Sequence, residues 1–149
     1  MMDRRKEREF ALKVLYASEY NDIELDEQFN LLKQSEPDHA SEFAMKIVKD
    51  CTINKVEFDE LIKGKLKNWK FERVAVIDRV LLRMALTEFI CFEDVPPEVT
   101  MDEIIEISKL YSTDRSDQFI NGILDALIKQ LKSEKRIKKS GRGLVSRIT

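Results

Sequence analysis

Apolar residues recur at helical spacing from the start of the chain. At about 100° per residue, Phe10, Ala11, Val14, Leu15 and Ala17 share one face of a first predicted helix, while Arg5, Leu12 and Tyr16 project from the opposite side. Asn21-Asp22 ends this helix, and Asp26 is placed to cap a short second one reaching about Gln34, with Phe29 and Leu32 inward. Pro37-Asp38 opens the next. Its apolar positions, from Phe43 through Ile47 and Cys51 to Ile53, Val56, Phe58 and Ile62, lose a single stripe near Cys51-Thr52, so a bend is expected there. Asn68-Trp69 reads as a helix end, with Trp69 a buried plug between halves and a subdomain joint near residue 70.

The run "FERVAVIDRVLLRMALTEFICF" is apolar nearly all round, as a helix packed on several sides requires. Asp78, Arg83 and Glu88 interrupt it. A charge among apolar neighbours must be paired or hydrogen-bonded, so these residues are expected as internal tethers, with Asp78-Arg79 equally open to a partner-facing role. Val95-Pro96-Pro97 stops this helix, and Thr100 with Glu103 has the spacing of a capping box. "FINGILDALIKQL" forms the last amphipathic helix, where Gly122 costs about 1 kcal/mol relative to Ala and suggests close approach by another backbone. The boundaries are therefore an N-terminal subdomain over 1–70, a C-terminal one over 71–131, and a flexible basic tail over 132–149.

Composition agrees with an all-α chain. Four Gly and three Pro in 149 residues leave little material for the turns of a β fold. No run reaches the roughly 18 apolar residues of a membrane span, and the N-terminus lacks a signal-like apolar stretch, so a cytoplasmic protein is expected. Cys51 and Cys91 sit in apolar contexts without a CxxC, and read as free buried thiols rather than a disulfide or metal pair.

Charge is segregated. The net charge of −2 combines +6 from Lys132 to Thr149 with −8 over the rest. Yet Arg4, Arg5, Lys6 and Arg8 crowd the start of the first helix, where the helix dipole ordinarily favours acids. Either these cations solvate the helix end, or an external anion completes the site. Arg and Lys beside a helix N-terminus suit phosphate, and an exposed Tyr16 suits base stacking. The chain lacks GxSxG, HExxH and P-loop spacings, and its single His39 lies in a polar stretch, so neither an enzyme nor a cofactor or metal site is expected. On pattern alone two readings stand: a nucleic-acid-binding protein, or a helical protein–protein adaptor.

The run "LKNWKFERVAVIDRVLLRMALTEF", followed by "VPPEVTMDEIIEISKLYSTDRSDQFINGILDAL" and preceded by "RRKEREFALKVLY", resembles the NusB family of bacterial transcription antitermination factors. Its specific elements are Asp78-Arg79 with Leu82-Arg83, Pro96-Pro97, and Phe119-x-Asn121-Gly122-x-Leu124. The resemblance implies two packed helical subdomains with about seven helices. It implies binding to the single-stranded boxA element of ribosomal RNA leaders, together with the ribosomal protein NusE, in an RNA polymerase antitermination complex. Arg4, Arg5, Lys6 and Arg8 match the family's RNA-contacting segment, Tyr16 a tyrosine on the same helix, and Gln118 and Phe119 the RNA-facing start of the last helix. Asp78 and Arg79 match a region near the NusE interface. Some members pair with themselves, so a homodimer or adaptor with weak nonspecific RNA binding is the alternative. Related domains are also fused to RNA cytosine methyltransferases, but this chain has no room for a catalytic domain and is expected to stand alone. Where relatives often carry Glu-Asp before the serine, this chain has Asp114-Arg115, and Arg115 is expected to add a phosphate contact. Met101-Asp102-Glu103 likewise departs from the family's Ile-Asn-Glu.

Overall fold

The computed structural model describes residues 3–67 and 70–144, which form seven α-helices and no strand. The helices are α1 (Arg4–Ser18), α2 (Leu25–Lys33), α3 (Glu42–Ile53), α4 (Lys55–Lys63), α5 (Val76–Cys91), α6 (Pro97–Tyr111) and α7 (Ser116–Ser133). Short 3₁₀ turns occupy Pro37–His39, Phe71–Arg73 and Gly141–Leu144. Two compact units divide between Ile53 and Asn54 rather than near residue 70. The break anticipated at Cys51-Thr52 falls at Asn54, and α4 belongs to the second unit, where its Asp59 binds Arg83 of α5. Ile53 and Val56, two of the apolar positions in this stretch, are both 78% exposed. Asn68 and Trp69, expected as a helix end and a buried plug, and Arg147, one of the cations counted over 132–149, lie outside the described residues.

In the first unit α1 packs on α2 and α3. Phe10 is fully buried and meets Phe29 edge-on at 5.0 Å between ring centroids, the arrangement that aligns a ring's positive edge with its neighbour's negative face. Glu24, not Asp26, occupies the N-cap position of α2, which leaves Asp26 in the first turn as a favourable charge on the helix dipole. Ser41 caps α3 by accepting from the Ala44 amide at 3.1 Å. Lys13 Nζ reaches Glu36 Oε2 at 2.8 Å, and His39 Nδ1 lies 3.4 Å from Glu36 Oε1.

The Lys13 hydrogen bond is the leading cause that holds the Glu36 carboxyl below its ordinary range, against the opposing effect of burial. A carboxylate with a depressed folded-state pKa contributes stability above its unfolded pKa and loses it as pH falls through the folded one. Lys13→Ala is therefore expected to move Glu36 upward toward the ordinary glutamate range and to shrink the acid-side loss of stability. Carbon-detected NMR titration of the Glu36 carboxyl in both proteins measures this, and an unchanged midpoint would refute it.

In the second unit α5 contacts α4, α6 and α7, which explains why apolar residues surround it. Its three charges are tethers. Arg83 engages Asp59 of α4, Glu88 accepts from Thr100 Oγ1 of α6 at 2.9 Å, and Asp78 accepts from hydroxyls of the α6–α7 turn. The capping box expected at Thr100 and Glu103 does not form. Pro97 starts α6 a turn earlier, at the position where a missing N–H costs nothing, and buried Thr100 gives its hydroxyl to Glu88. Gly122 also departs from expectation, since a Cβ added there would meet nothing within 4 Å.

Through Leu144 the basic tail is anchored, not loose. It leaves α7 by a Schellman turn, with the Arg136 amide on Leu131 O at 2.8 Å, the Lys135 amide on Lys132 O at 3.0 Å, and Lys135 at a φ of 58°. Beyond the turn, Lys139 Nζ donates to Glu88 O at 2.8 Å and Phe92 O at 2.5 Å, adding a charged donor to carbonyls at the end of α5 that already accept backbone amides. The Ser140 amide adds a bond to Glu93 O at 3.0 Å, and Arg136 Nη2 pairs with Glu57 Oε1 at 2.5 Å. Burial pushes the Lys139 ammonium below the ordinary lysine range, with Glu88 and Asp94 opposing that shift.

Candidate nucleic-acid interface

Asp3 caps α1, its Oδ1 accepting from the Lys6 amide at 3.2 Å. Arg4, Arg5 and Lys6 are exposed in the first turn. Arg8 is not; at 2% exposure it lies inside the protein, its guanidinium 5.1 Å from the centroid of the Phe43 ring. Arg4 also sits over Phe43, at 4.1 Å, and pairs with Glu7 at 3.1 Å. Glu7 in turn accepts from Ser41 Oγ at 2.5 Å, while Lys6 approaches Glu9 at 3.7 Å. The cations expected to wait for an external anion are thus partly answered by buried carboxylates. What remains is a pre-ordered cationic rim, held by an aromatic ring and two acids.

Tyr16 is exposed, but it does not adjoin that rim. Every residue from Glu7 to Leu12 is buried, including Leu12, which was assigned to the open face. A helix rises about 1.5 Å per residue, so Tyr16 lies roughly 18 Å along the axis from Arg4. The wheel gives the direction of a side chain and not what covers it. Tyr16 instead neighbours Tyr20, with ring centroids 5.1 Å apart and the planes tilted by 58°. Tyr20 is the more exposed of the two, and the sequence reading missed it. The i, i+4 spacing of the two tyrosines was the available signal.

In the second unit the α6–α7 turn gathers Arg115, Gln118 and Phe119 within the first turn of α7, with Arg115 and Gln118 exposed and Phe119 half-buried. Arg115 occupies the N-cap position at a φ of 71°, a left-handed conformation that non-glycine residues seldom adopt. Asp78 holds the turn in place. Its buried carboxylate accepts from Ser112 Oγ at 2.6 Å and from Ser116 Oγ at 3.1 Å, and Thr113 Oγ1 lies 3.0 Å from the same Ser116 oxygen. The Asp78 carboxylate is thus taken up inside the turn that carries Arg115. Arg79 is half-buried, its guanidinium 5.2 Å from the Phe71 centroid, and its Nε is buried with no hydrogen-bond partner among the described residues.

No group of metal-ligating side chains occurs among the described residues, and no helix among them is long and apolar enough to cross a membrane. An exposed cationic start to α1 on an all-helical scaffold defines a class: a helical protein with a surface that suits an anionic ligand. Comparison with known proteins makes the class specific. The chain belongs to the NusB family, whose model matches residues 5–129. It is 42% identical over 148 residues to the transcription antitermination protein NusB of Salinibacter ruber, covering 97% of this chain and 92% of that one. Its fold is similar to T. maritima NusB, with a TM-score of 0.79, 35% identity, and coverage of 87% and 92% of the two chains. It is also similar to a chain in the crystal structure of the antitermination factors NusB and NusE in complex with dsRNA. There the TM-score is 0.77 and the identity 25%, covering 85% of this chain and 96% of that one.

Proposed function

We propose that the protein is a cytoplasmic transcription antitermination factor that binds boxA-type RNA of ribosomal RNA leaders together with NusE, within an RNA polymerase antitermination complex. The observation that carries this reading is the exposed, pre-ordered Arg4-Arg5-Lys6 rim at the start of α1, in a chain whose relatives are named antitermination proteins. Ion pairs with Glu7 and Glu9 fix the rim's geometry, and a phosphate arriving at the helix N-terminus meets backbone dipoles of the favourable sign. Arg115, Gln118 and Phe119 form a second contact region, and Tyr16 with Tyr20 offers stacking faces. Arg79, half-buried beside the Phe71 ring, is the residue we assign to the protein partner, on its match to the family's NusE-facing region.

Fluorescence anisotropy with single-stranded boxA RNA, a scrambled strand and a duplex, each with and without NusE, tests this reading. Each phosphate contact on a single strand contributes about 0.7 to the slope of log affinity against log salt. Arg4→Ala/Arg5→Ala/Lys6→Ala is expected to lower boxA affinity at least tenfold and reduce that slope by about 2. Arg115→Asp is expected to weaken NusE-independent binding severalfold. Binding to NusE but to none of the RNAs would favour the adaptor reading.

A further inference from the structure

The anchored C-terminal segment separates its charges by direction. Arg136 and Lys139 turn inward, to Glu57 and to the carbonyls ending α5. Lys135, Lys138 and Arg142 are exposed, and none of the three has an ion pair among the described residues. Of the neighbouring acids, Glu57 pairs with Arg136 and Glu98 lies 4.0 Å from Lys132. By contrast, Lys46, Lys63, Lys109 and Lys129 on the helices each reach an acid on their own helix. The outer three cations are therefore open to an external anion.

We propose that this docked strap is a second RNA site, in which Lys135, Lys138 and Arg142 bind the phosphate backbone without reading sequence. The inference rests on the RNA-binding reading above and extends it to a surface that the family resemblance does not assign. Three properties fit a polyanion better than a protein partner. The cations stand on backbone held by Lys139, the Ser140 amide and the Schellman turn, so binding does not first have to order a loose tail. Leu144 is the one exposed large hydrophobic residue among described residues 132–144, so an apolar anchor of the kind protein interfaces use is nearly absent. Finally, point charges without base-reading side chains position a backbone and carry no sequence information.

The test uses the full chain and boxA-type RNA extended on both sides by unstructured nucleotides, beside a scrambled strand of equal length. Lys135→Ala/Lys138→Ala/Arg142→Ala keeps the anchors Arg136, Lys139 and the Ser140 amide, and an unchanged thermal melt confirms that it does. This variant is expected to bind both RNAs about fivefold to tenfold more weakly at low salt, to lower the salt slope by about 2, and to retain the wild-type ratio of boxA to scrambled affinity. Wild-type affinity and slope in the variant would overturn the proposal while leaving the α1 site intact. A collapsed boxA preference would overturn the claim that the strap ignores sequence. If the wild-type chain binds neither RNA at any salt, the function proposed above fails and this site fails with it.

Discussion

Replacing Asp59 by Ala is expected to cost about 3 to 5 kcal/mol of folding stability, the usual penalty for removing one partner of a buried ion pair. Arg83 grips Asp59 with two parallel bonds, Nε to Oδ1 at 2.5 Å and Nη2 to Oδ2 at 3.0 Å, and its side chain is 5% exposed. Without the carboxylate, a guanidinium stays in the interior with donors that water reaches poorly, and the Phe71 ring at 5.9 Å is a weak substitute. The charge, and not the lost contact area, dominates the penalty. The double variant Asp59→Ala/Arg83→Met should therefore recover most of the loss, since apolar side chains often replace a buried pair at little cost. Urea denaturation of the two variants decides the matter. A single-variant loss below about 1 kcal/mol would mean that the pair behaves as a screened surface contact.

That pair also marks how far the sequence could be read. An all-α fold followed from helical periodicity and the scarcity of glycine and proline. The charges at 78, 83 and 88 were legible as tethers because an apolar helix cannot leave them unpaired. Their partners were not legible. Asp59 lies 24 residues from Arg83, and Ser112 and Ser116 lie 34 and 38 residues from Asp78. Only packing brings them together.

The misses share a cause. Thr100 looked like a cap because local spacing cannot see that Glu88 takes its hydroxyl, and Arg8 and Leu12 looked open because a wheel cannot see what covers them. The rim at Arg4, Arg5 and Lys6 was visible as charge against the dipole. Its ordering by Phe43, Glu7 and Ser41 depends on residues of α1 and α3 meeting in space. The tail was misjudged for a different reason. Its anchors are a lysine, an arginine, a backbone amide and a glycine, none of which contributes to a hydrophobic rhythm.

The glycine among those anchors gives the second large effect. A Cβ built on Gly143 would lie 1.9 Å from Glu93 O and 2.9 Å from Glu93 C, so even Ala cannot be accommodated unless the strap or the end of α5 moves. Both atoms it would strike are backbone, which cannot swing aside as a long side chain would. Gly143→Ala is expected to destabilise the second unit by about 1 to 3 kcal/mol, the range for overpacking a closely fitted site. That cost has a ceiling, because the strap detaches once strain exceeds what docking contributes. Detachment would free the Lys139 bonds to Glu88 O and Phe92 O and the Ser140 amide bond to Glu93 O. Hydrogen exchange separates this outcome from general unfolding: the Ser140 amide should lose protection in the variant while core amides of α5, such as those of Leu82 and Leu86, keep most of theirs. If Ser140 stays protected and the melt is unchanged, the close approach of Gly143 to Glu93 does not hold the strap, and Lys139, Arg136 and the Ser140 amide anchor it without that contact.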